Sequence, residues 1–179
     1  MRYHPTEVPG PLLVELVPRE DDRGLFARTF DRAEAAEHGI DPHVEQCNLS
    51  WNARAGTLRG LHYQDDRAPE GKLVRCVRGA VVDIVVDARP GSPTHLQHVR
   101  VELSADNRLA LWVPPLFAHG YLTLVDDTEV LYQVSQAYTP GAERGLRWDD
   151  PRLGLDWGSE VVELSDKDRS WPLLEGADG

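Results

Sequence analysis

The chain has 179 residues, 41% hydrophobic and 27% charged, enough for one domain with a substantial core. Its formal net charge of −11 argues against non-specific binding to nucleic acid or an anionic membrane, and any anionic substrate would need locally placed Arg and Lys. Two cysteines are too few for a disulfide framework, no apolar run approaches about 18 residues, and no basic segment leads into an apolar one at the N-terminus. The expectation is a reduced, cytoplasmic setting without a membrane span.

In chain order, Leu12 to Val17 and Leu25 to Phe30 read as short strands. Asp31 to His38 reads as a helix, with Asp31 as N-cap, Glu34 at the capping-box position and Gly39 just past the end. Extended runs follow at Val44 to Trp51, Thr57 to Gln64, Leu73 to Arg78, Ala80 to Asp87, Leu96 to Leu103, Leu109 to Val113, Gly120 to Val125 and Thr128 to Ser135. Turn residues such as Gly56, Gly71, Gly79, Pro114-Pro115 and Asp126-Asp127 separate them. Many short strands at this spacing predict an all-β sandwich or barrel. Within Ala80 to Asp87, Val82, Ile84 and Val86 form an apolar face and Asp83 and Asp87 a mixed one. A last short helix or turn is expected from Ser165, with Asp168 three residues on. Nothing marks a domain boundary within residues 1–179, and Gly176 to Gly179 read as a loose tail.

Chemistry concentrates in a few places. Alternation puts Leu58, Gly60, His62 and Gln64 on one face, unusual for a dry core and natural for a barrel interior that admits a ligand. Arg59 falls on the opposite face by the same count, unless a bulge at Gly60 brings both to one side. Lys72 opens an apolar strand, and it and Lys167 are the only lysines. His119 lies in Ala118-His119-Gly120-Tyr121, and Tyr132 in an apolar run facing the same way as Val130 and Val134. Base, cation and phenol are the parts needed to move a proton beside a carbonyl. Each has an ordinary alternative: a structural histidine, an edge lysine, a core tyrosine with its hydroxyl at the rim. Trp112 and Phe117 read as packing residues. The sequence shows no His-x-His pair of the sort metal-binding barrels use, and no Gly-x-Gly-x-x-Gly, Walker or Gly-x-Ser-x-Gly pattern.

Several motifs occur together in one order: Arg23-Gly24-Leu25-Phe26, Gln46-Cys47-Asn48-Leu49-Ser50, Leu58 to Gln64, Gly71 to Arg75, Ser92-Pro93-Thr94, Leu111 to Pro114, Phe117 to Gly120, Trp148 to Pro151 and Leu164 to Asp168. Over nearly the whole chain this resembles the dTDP-4-dehydrorhamnose 3,5-epimerase family. The resemblance implies a cupin-type jelly-roll barrel with a few short peripheral helices, and a homodimer with strands exchanged between subunits. It also implies no metal or organic cofactor, and a dTDP-linked 4-keto-6-deoxyhexose as substrate. By the family pattern His62 abstracts the proton, Asp168 holds and polarises it, Lys72 stabilises the enolate oxygen and Tyr132 returns a proton from the opposite face. His119 lines the pocket, Arg23 and Arg59 bind the diphosphate, Gln46 and Asn48 seat the nucleotide, and Phe26 packs near thymine. Gln133 and Ala137 depart from the pattern beside Tyr132 and bear on whether C3, C5 or both are inverted. A C3-only epimerase and a non-catalytic nucleotide-sugar-binding cupin are the alternatives.

Overall fold

A computed structural model describes residues 1–174; the tail expected to be loose, Gly176 to Gly179, lies outside the described residues. The first sheet runs β1 (Arg2–Pro5), β2 (Leu12–Glu15), β10 (Ala110–Val113), β7 (Lys72–Arg78), β12 (Thr128–Val134) and β5 (Gln46–Asn52) from edge to edge. The second runs β13 (Glu143–Gly145), β6 (Thr57–Gln64), β11 (Phe117–Thr123), β8 (Ala80–Asp87) and β9 (His98–Ser104), with β14 (Glu163–Leu164) parallel to β6. This is the jelly-roll architecture of the cupin type. A separate hairpin, β3 (Arg19–Asp21) with β4 (Gly24–Phe26), belongs to neither sheet.

Three apolar layers follow from strand alternation. Between the sheets, Val74, Cys76, Leu111 and Val130 meet Val81, Val85, Leu103 and Phe117. Outside the second sheet, Leu58, Leu61, Val82, Ile84 and Val86 are covered by Leu146, Leu153 and Trp157 from the C-terminal segment. Outside the first, Val14, Leu73 and Trp112 pack with Ala35 of α1 (Arg32–Glu37) and with Ile40. Trp112 and Phe117 are thus packing residues, and Cys76 is buried, its thiol pushed up to about 11 by burial.

β8 departs from the expectation of one core face and one mixed face. Its apolar face, Val82, Ile84 and Val86, lies under the C-terminal layer, while Asp83 and Asp87 are themselves fully buried. Both carboxylates are partnered, Asp87 by Arg89, Ser92 and Thr94, and Asp83 by His119, so the strand can be buried on both sides. At α1 the Asp31 carboxylate accepts from the Ala33 and Glu34 N–H groups (3.0 and 3.2 Å), and Gly39 adopts φ +75° beyond the end. The expected capping box is one-sided, because the Glu34 carboxylate accepts from the Met1 ammonium at 3.0 Å instead.

Candidate active site

Strand β6 sets the site. Gly60 has φ +124°, and a Cβ there would fall 2.5 Å from Gly120 Cα and 2.7 Å from the His119 carbonyl oxygen. His119 pairs His62 and Tyr121 pairs Arg59, so one extra residue of β6 is absorbed as a bulge at Gly60-Leu61. Strict alternation, which separates Arg59 from His62, fails here: Arg59 and His62 line one cavity, while Leu58 and Leu61 join the outer apolar layer.

That cavity, about 430 Å³, lies between the sheets. Arg59 and His62 on β6 with His119 and Tyr121 on β11 form one wall, and Lys72 on β7 and Tyr132 on β12 form the other. Lys72 pairs Val134, two residues from Tyr132 on the neighbouring strand, so both project to the same side. A second, adjoining hollow shares His62, Lys72 and Tyr132 and adds Gln46, Asn48, Glu70, Tyr138 and Glu143.

His62 Nε2 bonds Asp168 Oδ1, joining residues 106 positions apart. Asp168 sits in α2 (Asp166–Arg169), where the Ser165 hydroxyl caps the helix by accepting from the Asp168 N–H at 3.1 Å. Its second oxygen accepts from the Gly60 N–H at 3.4 Å. Burial alone would raise the Asp168 carboxyl, but the hydrogen bond and charge of His62, with the Ser165 and Gly60 donors, hold it below the usual carboxylate range. Trp171 lies edge-on to His62, ring centroids 6.4 Å apart, and its indole fills the space above Gly145, the residue paired with His62 on β13.

Burial, then the neighbouring Tyr121 and Glu70, raises the Tyr132 phenol above its ordinary value, with Arg59 opposing. His119 Nε2 lies 3.0 Å from Asp83 Oδ2, and Asp83 Oδ1 is buried with no hydrogen-bond partner among the described residues. Arg59 Nε donates to Asn52 Oδ1 at 2.7 Å, and Asn52 donates to the Thr128 carbonyl at 3.1 Å, which fixes the guanidinium at the rim. Tyr121 shares a 2.6 Å bond with Ser50.

Of the sequence-predicted residues, His62, Lys72, Tyr132, Asp168, Arg59 and His119 meet in the first cavity, and Gln46 and Asn48 line the second hollow. Arg23 and Phe26 do not join them. Arg23 stands on the β3–β4 hairpin, its side chain 89% exposed and paired with Asp21 at 2.6 Å, and Phe26 is 71% exposed. Gln133 lies on the face of β12 away from Tyr132, paired across to Cys47, whose sulfur accepts from its amide at 3.9 Å. It therefore does not flank the phenol within the cavity. Ala137 is held through its carbonyl by Gln64 Nε2 at 3.2 Å, and Gln64 Oε1 accepts from the Thr139 N–H at 2.7 Å. This clamp fixes the loop that sets Tyr138 over the second hollow.

Several lining residues were not singled out from sequence: Ser50, Glu70, Tyr121, Tyr138 and Glu143. Lys167 also lines the first cavity, 2.5 Å from Glu143, so both of the chain's lysines converge there; their rarity was the available signal.

A jelly-roll barrel with an oriented histidine facing a lysine and a phenol across one cavity defines a class, the cupin-type isomerases. Comparison with known proteins narrows this. The family model for dTDP-4-dehydrorhamnose 3,5-epimerase matches residues 5–176. An enzyme of that name from Methanothermobacter thermautotrophicus is 41% identical, over 97% of this chain and 95% of its own. The Bacillus anthracis dTDP-4-dehydrorhamnose 3,5-epimerase with TDP and pyrophosphate bound superposes with TM-score 0.92 at 39% identity, covering 97% of this chain and 99% of that one. A 3'-monoepimerase from Streptomyces bikiniensis in complex with dTDP-quinovose superposes at 0.87 with 33% identity, covering 95% and 86%. The chain belongs to the dTDP-4-dehydrorhamnose 3,5-epimerase family and is a sugar epimerase of deoxysugar biosynthesis.

Proposed function

We propose that the substrate is a dTDP-4-keto-6-deoxyhexose, inverted at C3 and C5 in the cavity between His62 and Tyr132. The observation that carries this reading is that an Asp168-oriented histidine lies on one sheet, with a lysine and a half-buried phenol on the other, around a single cavity. His62 takes the proton from a carbon beside the C4 ketone. The C–H electron pair becomes a C=C bond as the ketone oxygen gains negative charge, and the Lys72 ammonium stabilises that enolate. Tyr132 returns a proton to the same carbon from the opposite face, inverting it. Asp168 keeps the imidazole in orientation and stabilises its charged form, as in other His-Asp pairs. His62 then releases its proton and Tyr132 regains one, so the site returns to its starting state with nothing oxidised or reduced.

Arg59 binds the diphosphate, bidentate geometry suiting arginine, while Gln46 and Asn48 seat the nucleotide and His119 lines the sugar pocket. Arg23 and Phe26 complete the nucleotide site from a second subunit of a homodimer; their hairpin stands clear of this chain's own cavity, which supports that arrangement. No helix among the described residues is long and apolar enough to cross a membrane, consistent with work in the cytoplasm. The likeness to a 3'-monoepimerase favours one second reading, inversion at C3 alone.

One NMR experiment tests both. In D₂O, the keto-sugar incubated with this protein should lose its C3 and C5 proton signals as solvent deuterium enters. Deuterium at C3 alone selects the second reading. Retention of both protons overturns the proposal.

A further inference from the structure

Lys72 shares its wall with a carboxylate. Glu70 Oε2 lies 3.2 Å from the Lys72 ammonium, and the two side chains are only 11% and 14% exposed. They meet across Gly71, which is fixed at both polar ends. Its N–H donates to the Ser135 hydroxyl at 2.9 Å, and its carbonyl accepts from the Ser135 N–H at 3.0 Å. The Trp112 ring occupies the space a side chain on Gly71 would need, 2.3 Å from where a Cβ would sit. The backbone between acid and lysine therefore cannot swing, and the pair is preset.

A negative charge beside a forming enolate is unfavourable on its own, since it offsets part of the lysine's field. What such a carboxylate can contribute is orientation, because a lysine side chain is a flexible stem carrying a point charge. We propose that Glu70 is a positioning residue for the reaction, holding the Lys72 ammonium at the wall shared by the two hollows before the enolate forms. This rests on the proton-transfer reading above. Glu70 also lines the second hollow with Tyr132. There its charge is the smallest of the influences that raise the phenol, behind burial and Tyr121, so its removal leaves that elevation to the other two.

Glu70→Ala should slow deuterium wash-in about tenfold at saturating substrate, with KM changed by less than about twofold. In a Lys72→Ala background the same substitution should cost nothing more, because a residue acting through Lys72 has nothing left to position. Equal losses in both backgrounds, no loss in the parent protein, or a rise in KM alone would overturn the proposal. A second readout does not need activity. With Lys72 and Lys167 the only lysines, ¹⁵Nζ-lysine labelling gives two side-chain signals, assigned by Lys167→Arg. The Lys72 ammonium protons should exchange slowly in the parent protein and fast in Glu70→Ala. If wash-in is absent from the parent protein, the reaction reading fails. An unchanged Lys72 signal in Glu70→Ala overturns the positioning role.

Discussion

In the proposed mechanism Tyr132 must be neutral at working pH to donate a proton, and its surroundings favour the neutral form. Burial is the largest influence, followed by Tyr121 and Glu70, and all three disfavour the phenolate. The sign follows directly. A phenol whose folded pKa lies above the ordinary 10.0 stays protonated through neutral pH, and the stability linked to its neutral form is lost only as pH rises past that value. In a titration followed by phenolate absorbance, the difference between the parent protein and Tyr132→Phe should isolate one phenol ionising above pH 10.0. A difference curve centred at or below 10.0 would mean that burial, Tyr121 and Glu70 do not raise this phenol. At this scale the sequence was only partly readable. His62, Lys72 and Tyr132 stand out as residue types suited to proton transfer, yet Asp168 could be tied to His62 only through the family resemblance, since 106 positions separate them. Glu70 was invisible because an acidic residue between Pro69 and Gly71 reads as a solvated turn.

Among the elements, strands bounded by turn glycines were legible to the residue: Thr57–Gln64 and Ala80–Asp87 begin directly after Gly56 and Gly79. The strands that escaped are short and polar, such as Arg19–Asp21, Glu143–Gly145 and Glu163–Leu164. They form because a neighbouring edge offers hydrogen bonds, and no periodicity records that. Two of them matter to the site, for β13 and β14 both pair with β6 and hold it beneath the C-terminal segment. On β13, Gly145 is opposite His62, and the Trp171 indole lies 2.1 Å from where its Cβ would be. Gly145→Ala should therefore push Trp171, and with it the segment carrying Asp168, away from His62. The expected cost is about 1–3 kcal/mol in urea unfolding, the range for overpacking, with wash-in also reduced. In a Trp171→Ala background the added methyl should cost close to nothing. Equal destabilisation in both backgrounds would mean that the strain arises in β13 itself.

For the whole molecule, the question is where an acidic chain of net charge −11 finds the cations for a dTDP diphosphate. In the proposed reading Arg59 supplies part of the answer, from the wall of the cavity that Lys72 and Lys167 also line. Arg23 lies outside that cavity, on a hairpin that also exposes Leu25 and Phe26, 40% and 71% accessible. Large apolar groups beside an arginine on a projecting hairpin are costly to leave in water and suit insertion into another molecule's site. The proposed exchange of strands between subunits makes each active site a product of two chains, and this can be tested by complementation. Arg23→Ala leaves the chain's own His62 intact but removes the arginine it would lend; His62→Ala does the reverse. Each homodimer should be nearly inactive at low substrate concentration. After unfolding, mixing and refolding together, half the dimers are hybrids, and one of the two sites in each hybrid has both residues. Activity should therefore return to about a quarter of the parent level, as a two-fold arrangement requires. If mixing restores nothing while the parent protein refolds to full activity, Arg23 serves the cavity of its own chain and the hairpin must fold back over it when nucleotide binds.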